Sequence, residues 1–151
     1  MPDTPRAEQI EAEVLSRMEA LKVAGTQNYT YQEVSRKLRA PDAVHSHPVI
    51  FIPPGRETGD QEVAYADRIL HLAIWAYHDT PDEPGTCSNK MRQDIEVALF
   101  PSSDTTILGL IDTEIVEAAV VEVDRWQSMD DTQELVRLLV EFRFTYQRGD
   151  P

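Results

Sequence analysis

Between Ile10 and Leu21 the apolar residues Ile10, Val14, Met18 and Leu21 recur at three- and four-residue intervals, with Leu15 beside them, and Glu8, Glu11, Glu13, Arg17 and Glu19 fill the other side. That is the period of a helix with one buried stripe. Asp3-Thr4-Pro5 supplies a capping side chain and a proline near the first helical position, and Gly25 a stop, so the pattern predicts a helix of about five turns. From Asn28 to Leu38 the period changes. Tyr29, Tyr31 and Val34 bring aromatic and β-branched character in loose alternation, which predicts a strand. Ala40–Pro48 reads as a loop, Val49–Ile52 as a short buried strand closed by Pro53-Pro54-Gly55, and Arg56–Glu62 as an exposed loop.

The stretch Arg68–Phe100 organises the chain. Leu70, Leu72, Ile74 and Ala76 fall on one face of a strand ending at His78, and Ile69, His71, Ala73, Trp75 and Tyr77 on the other. A strand apolar on both sides belongs in the middle of a sheet. Asp79–Gly85 breaks it with two prolines and a glycine. A helix then runs from about Ser88 to Pro101, with Met91, Ile95, Ala98 and Leu99 on one stripe. Thr106–Ile111 is a short apolar segment. Glu114–Val123 alternates as a strand, Arg125–Gln133 reads as a polar loop, and the final strand sets Val136, Leu138, Val140, Phe142, Phe144 and Tyr146 against Arg137, Leu139, Glu141, Arg143, Thr145 and Gln147. The order predicts an α+β fold: a mostly antiparallel sheet with two helices packed on one face, in a single domain spanning residues 1–151.

The net charge of −13 changes the functional picture. It argues against a general nucleic-acid binder or a protein that coats anionic membrane. The start of the sequence lacks the basic-then-apolar pattern of a signal peptide, and no segment holds the roughly 18 apolar residues of a membrane span. The expectation is a chain made and kept in the cytoplasm, unless it leaves inside a particle. Cys87 is the single cysteine, so an internal disulfide is impossible.

The search for chemistry is largely negative. His45 and His47 are two apart, a spacing that lets both face one metal, but a site needs three or four ligands and no cluster of known spacing joins them; His71 and His78 are distant in sequence. Asp79, Asp82 and Glu83 lack the ligand alternation of a calcium loop. Asp130 and Asp131 read as solvated. Cys87 lies near a helix start, where a thiolate is stabilised, yet no base or orienting group accompanies it. The isolated glycines cradle no phosphate. The reading is therefore of no catalytic residue, cofactor or metal, and of no enzyme. The one basic cluster, Arg36-Lys37-Leu38-Arg39, suits an acidic neighbouring subunit.

Several short patterns carry a resemblance: Leu70-His-Leu-Ala-Ile-Trp75, Met91-x-x-Asp-Ile-x-x-Ala-Leu99, Leu108-Gly-Leu110, the alternating Ile115–Val123, and Val140-Glu-Phe-Arg-Phe-Thr-Tyr146. Together with the amphipathic first helix and the short strand flanked by Pro48 and Pro53, they resemble the tail terminator proteins of long-tailed bacteriophages, the family of the lambda-type minor tail protein U, from about Ile10 to Tyr146. The resemblance implies a virion structural protein assembled in the host cytoplasm. It implies a homo-oligomer, usually a hexameric ring, that caps the tail tube protein, stops its polymerisation and meets the head–tail connector, with DNA passing the lumen without specific binding. An acidic lumen would let phosphate slide past. The alternatives are a head-completion or head–tail joining protein of the neck, a small enzyme resting on Cys87 or the histidines, and an acidic regulatory module with a basic partner. The residues expected at inter-subunit or partner contacts are Arg36, Lys37, Arg39, His78, Asp79, Asp82, Glu83 and Trp126, with the His78–Gly85 loop foremost.

Overall fold

The central strand takes its position from its two apolar faces. In the computed structural model, which describes residues 6–40, 43–44, 46–59, 65–79, 83, 85–101, 115–127 and 133–147, the elements run α1 (Arg6–Glu19, extended by a tight turn over Ala20–Lys22), β1 (Glu33–Ser35), β2 (Val49–Phe51), β3 (Arg56–Gly59), β4 (Tyr65–His78), α2 (Thr86–Leu99), β5 (Ile115–Gln127) and β6 (Glu134–Gln147). The sheet order is β1-β2-β4-β6-β5, with β3 also on β4. Among the described strands, only β1 and β2 pair in parallel. One edge of β4 carries β3 against Arg68–His71 and β2 against Trp75–Tyr77. The other carries β6 in unbroken register from Tyr65↔Gln147 to His78↔Glu134. This is the α+β arrangement expected.

Both helices lie on one face of that sheet. Ile10, Val14, Met18 and Leu21 of the first helical segment and Cys87, Met91, Ile95 and Leu99 of α2 enter one core with Leu70, Leu72, Ile74, Ala76, Val136, Leu138, Val140, Phe142 and Phe144. Arg17 ties the helices together, donating from Nη1 to Leu99 O at 3.1 Å. The opposite face holds a smaller cluster of Val44, Val49, Phe51 and Tyr77, with Trp75 and Leu135 packed against it.

Four expectations are corrected. The strand foreseen over Asn28–Leu38 shrinks to Glu33–Ser35, because the Asn28 and Tyr29 N–H groups donate to the Asp94 carboxylate of α2, at 2.7 and 3.1 Å, instead of to a ladder. The loop foreseen from Arg56 is strand β3 through Gly59; its mostly exposed side chains conceal an edge strand that completes the backbone pairing of β4. Arg125, Trp126 and Gln127 are not loop but the last residues of β5, opposite Val136, Leu135 and Glu134. Simple alternation along β5 also fails: register shifts fall between Ile115 and Glu117 and between Val120 and Glu122, so that Ala118, Val120 and Val123 all pack toward the core. A bulge of this kind resets which residues share a face. The expectations on Asp3–Pro5 and Thr106–Ile111 lie outside the described residues.

Tyr31 links this packing to pH. It is 1 % exposed, and its hydroxyl donates to Asp94 Oδ2 at 3.0 Å. Burial, then the Asp94 charge and the hydrogen bond to it, push its phenol far above the usual range; burial also raises Tyr77. The unfolded chain releases the Tyr31 proton near pH 10 while the folded chain keeps it. The stabilisation is therefore complete below that pH and is lost above it, at about 1.4 kcal/mol per pH unit for one such group. Urea titrations from about pH 9 to 11 should show this decline, and Tyr31→Phe should make it shallower.

Candidate functional site

The residues expected at contacts are of two kinds once placed. Arg36 is engaged within the chain, pairing with Glu8 at 3.1 Å and with the buried Glu11. Arg39 pairs with Glu33 and lies with its guanidinium carbon 5.2 Å from the Phe51 ring centre. Of the three basic residues in the cluster, Lys37 is the exposed one; Leu38 beside it is 42 % exposed. His78 is 8 % exposed, at the end of β4. Asp79 and Glu83 are exposed, and Asp82 lies outside the described residues, as do His45, Asp130 and Asp131. Cys87 is fully buried in the core, where a thiolate nucleophile has no access to substrate.

Trp126 is 44 % exposed and belongs to a cluster that sequence reasoning missed. Its ring stacks on Trp75 at 5.7 Å between centres and 10° between planes. Arg137 on the intervening β6 lies opposite both Trp75 and Asp124. Its guanidinium carbon is 5.5 Å from the Trp75 centre and 6.0 Å from that of Trp126, and it pairs with Glu122 at 3.3 Å and with Asp124. The signal was the strand period itself: once Arg125–Gln127 are read as strand, Trp126 and Asp124 share a face.

Strand β5 ends the sheet path, with β6 its one partner among the described strands. Apolar residues gather along it. Val121 is 50 % exposed on β5 and Val97 58 % exposed on α2, and a shallow hollow of about 370 Å³ is lined by Glu96, Val97, Phe100 and Val120. An open strand edge beside exposed apolar side chains is a natural place for another chain to pair.

A second locus lies at the C-terminal end of β4, three residues beyond Trp75. His47, His78 and Asp79 each bring one potential ligand atom within 4.8 Å of the others. His78 Nδ1 is 2.9 Å from Asp79 Oδ1 and accepts the Asp79 N–H at 3.0 Å. The His47 and His78 rings are 6.4 Å apart and nearly parallel, and the edge of Tyr29 meets His78 at 4.7 Å. Next to His78 in register is Glu134, 1 % exposed. Its Oε1 accepts from Gly85 N at 2.8 Å and Ser88 N at 3.3 Å at the start of α2, a carboxylate on the positive end of a helix. Gly85 has φ 86°, which a side chain there would resist. Glu134→Ala should cost about 2–3 kcal/mol in urea unfolding, the worth of a charged hydrogen-bond acceptor withdrawn from buried donors.

No protein-family model matches the sequence, and no curated protein does either. Among solved structures, a chain of a structure described as the virion of a native gene transfer agent particle has the same fold, with a TM-score of 0.63 at 11 % identity over 95 % of this chain and 100 % of that one. Among the described residues, no helix is long and apolar enough to cross a membrane.

Proposed function

We propose that this chain is a structural subunit of a phage-like particle: a tail terminator that assembles as a ring, six copies by the family resemblance, on the end of the tail tube. There it stops tube growth and presents a surface to the head-side connector. The observation that carries this reading is the fold held in common with a gene transfer agent virion chain over the full length of that chain. Two features of the molecule support it. The β5 edge and its exposed apolar neighbours offer a surface for a second copy. The charge of −13 suits a lumen through which DNA slides unbound; a ring whose lumen is lined by lysine and arginine would overturn that part.

The test is to mix the full chain with its tail tube protein and examine the product by electron microscopy and mass measurement. Expected are rings at one end of each tube and an end to tube elongation. A chain that stays monomeric and leaves tubes growing overturns the proposal. Binding to the head-side connector with no effect on tubes would assign it instead to head completion or head–tail joining.

A further inference from the structure

We propose that His47, His78 and Asp79 form a binding site for a first-row divalent metal ion, with zinc the best match to the donors. Two imidazoles and a carboxylate are a zinc-competent set that leaves a fourth position open. The sequence disguises it, because His47 sits just before β2 and His78 at the end of β4, and only the pairing of β2 with the end of β4 brings them together.

The reasons to expect an ion lie in the polar atoms. His47 Nδ1 is buried with no hydrogen-bond partner, and a buried polar atom left unsatisfied is costly. On the other side of that ring, Nε2 lies 3.4 Å from the Gln133 side-chain amide. With the amide turned so that its oxygen accepts the Nε2 proton, the Nδ1 lone pair is left free to ligate, which is how outer partners fix a ligating histidine's tautomer. At His78, Nδ1 and Asp79 Oδ1 are 2.9 Å apart while the Asp79 N–H already points at Nδ1. At that distance a proton on Nδ1 can bridge the two, and a metal ion would take the proton's place, with the single Nδ1 lone pair turned to the ion and not to the Asp79 N–H. Two ligands 2.9 Å apart, each about 2.0–2.1 Å from an ion, subtend about 90° there. The neighbouring Glu134 carboxylate, with Oε2 buried and unpartnered, adds negative potential at the same end of the sheet. An ion here would tie the segment entering β2 to the end of β4, where the chain leaves for α2.

The test uses untagged full-length protein and zinc or cobalt(II) alone. One equivalent per chain should bind, the cobalt form should show visible d–d absorption of low-symmetry nitrogen and oxygen coordination, and saturating zinc should raise Tm by about 5 °C. His47→Gln and Asp79→Asn should each weaken binding by at least about 100-fold, more than loss of an outer partner does, and should abolish the zinc-dependent rise in Tm. Asp79 is 61 % exposed, so Asp79→Asn tests the site without threatening the fold. His71→Gln, at a histidine held by Thr58 and Glu141, should bind as the wild type does. Absence of stoichiometric binding by the wild type, or binding that survives both His47→Gln and Asp79→Asn, overturns the proposal.

Discussion

Replacing Asp94 by alanine should cost about 3–5 kcal/mol of unfolding free energy. Asp94 is 3 % exposed and accepts from Asn28 N at 2.7 Å, Asn28 Nδ2 at 3.0 Å, Tyr29 N at 3.1 Å and Tyr31 Oη at 3.0 Å. A charged acceptor strengthens each bond. Its removal strands the Tyr31 hydroxyl, which is 1 % exposed and cannot be rehydrated without opening the core. The exposed Asn28 can turn to water, so the bonds do not sum. For a domain stable by about 5–15 kcal/mol the loss is a large fraction. Asp94→Asn should cost less, since one oxygen still accepts, although its amide now faces donors. Urea unfolding of the three proteins should show midpoints in the order wild type, Asn, Ala at unchanged m. In a cycle with Tyr31→Phe, the Ala substitution should cost less in the Phe background, because one stranded donor is already gone. An Asp94→Ala protein within about 1 kcal/mol of wild type would refute this account.

Asp94 also marks how far the sequence could be read. A carboxylate between Met91 and Ile95 sits on the apolar stripe of α2, and that oddity is visible without coordinates. Its partners are not, because Asn28, Tyr29 and Tyr31 read as strand by propensity, and the capture of their backbone by a distant carboxylate overrides propensity. The α1 stripe, the double-faced β4 and the alternating β6 were legible because one periodicity persists across each element and burial follows it. Strand β3 was not: Arg56-Glu57-Thr58-Gly59 carries no apolar residue, and its order comes from the backbone of β4. The shift at Val120–Glu122 was invisible for the opposite reason, since Ala118-Ala-Val-Val121 is apolar in either parity. Of the residues expected at contacts, Trp126 is exposed, while Arg36 and Arg39 pair within the chain with Glu8, Glu11 and Glu33, partners that sequence separation conceals. The histidine pair was missed because sequence separation conceals a neighbour made by sheet pairing.

Assembly should fail outright when a lysine replaces Val121, while the isolated chain stays folded. Val121 is 50 % exposed at the bulge of an edge strand, so the substitution removes little buried surface and should shift stability by no more than about 0.5 kcal/mol. Pairing another chain along β5 would bury that ammonium in the new contact, and an unpaired charge there costs several kcal/mol. Because each subunit of a ring carries the same lesion, the penalty recurs at every contact and closure is lost. Trp126→Ala removes the stack on Trp75 and should weaken assembly less, since the ring is already half occupied within its own chain. Lys37→Glu, far from β5 in the sheet order, should reduce tube binding modestly and in a salt-dependent way if an acidic partner faces it. Mass measurement and tube capping scored on these variants separate the surfaces. Full assembly by Val121→Lys together with its loss in Lys37→Glu would move the subunit contact from the β5 edge to the opposite edge of the sheet, next to β1.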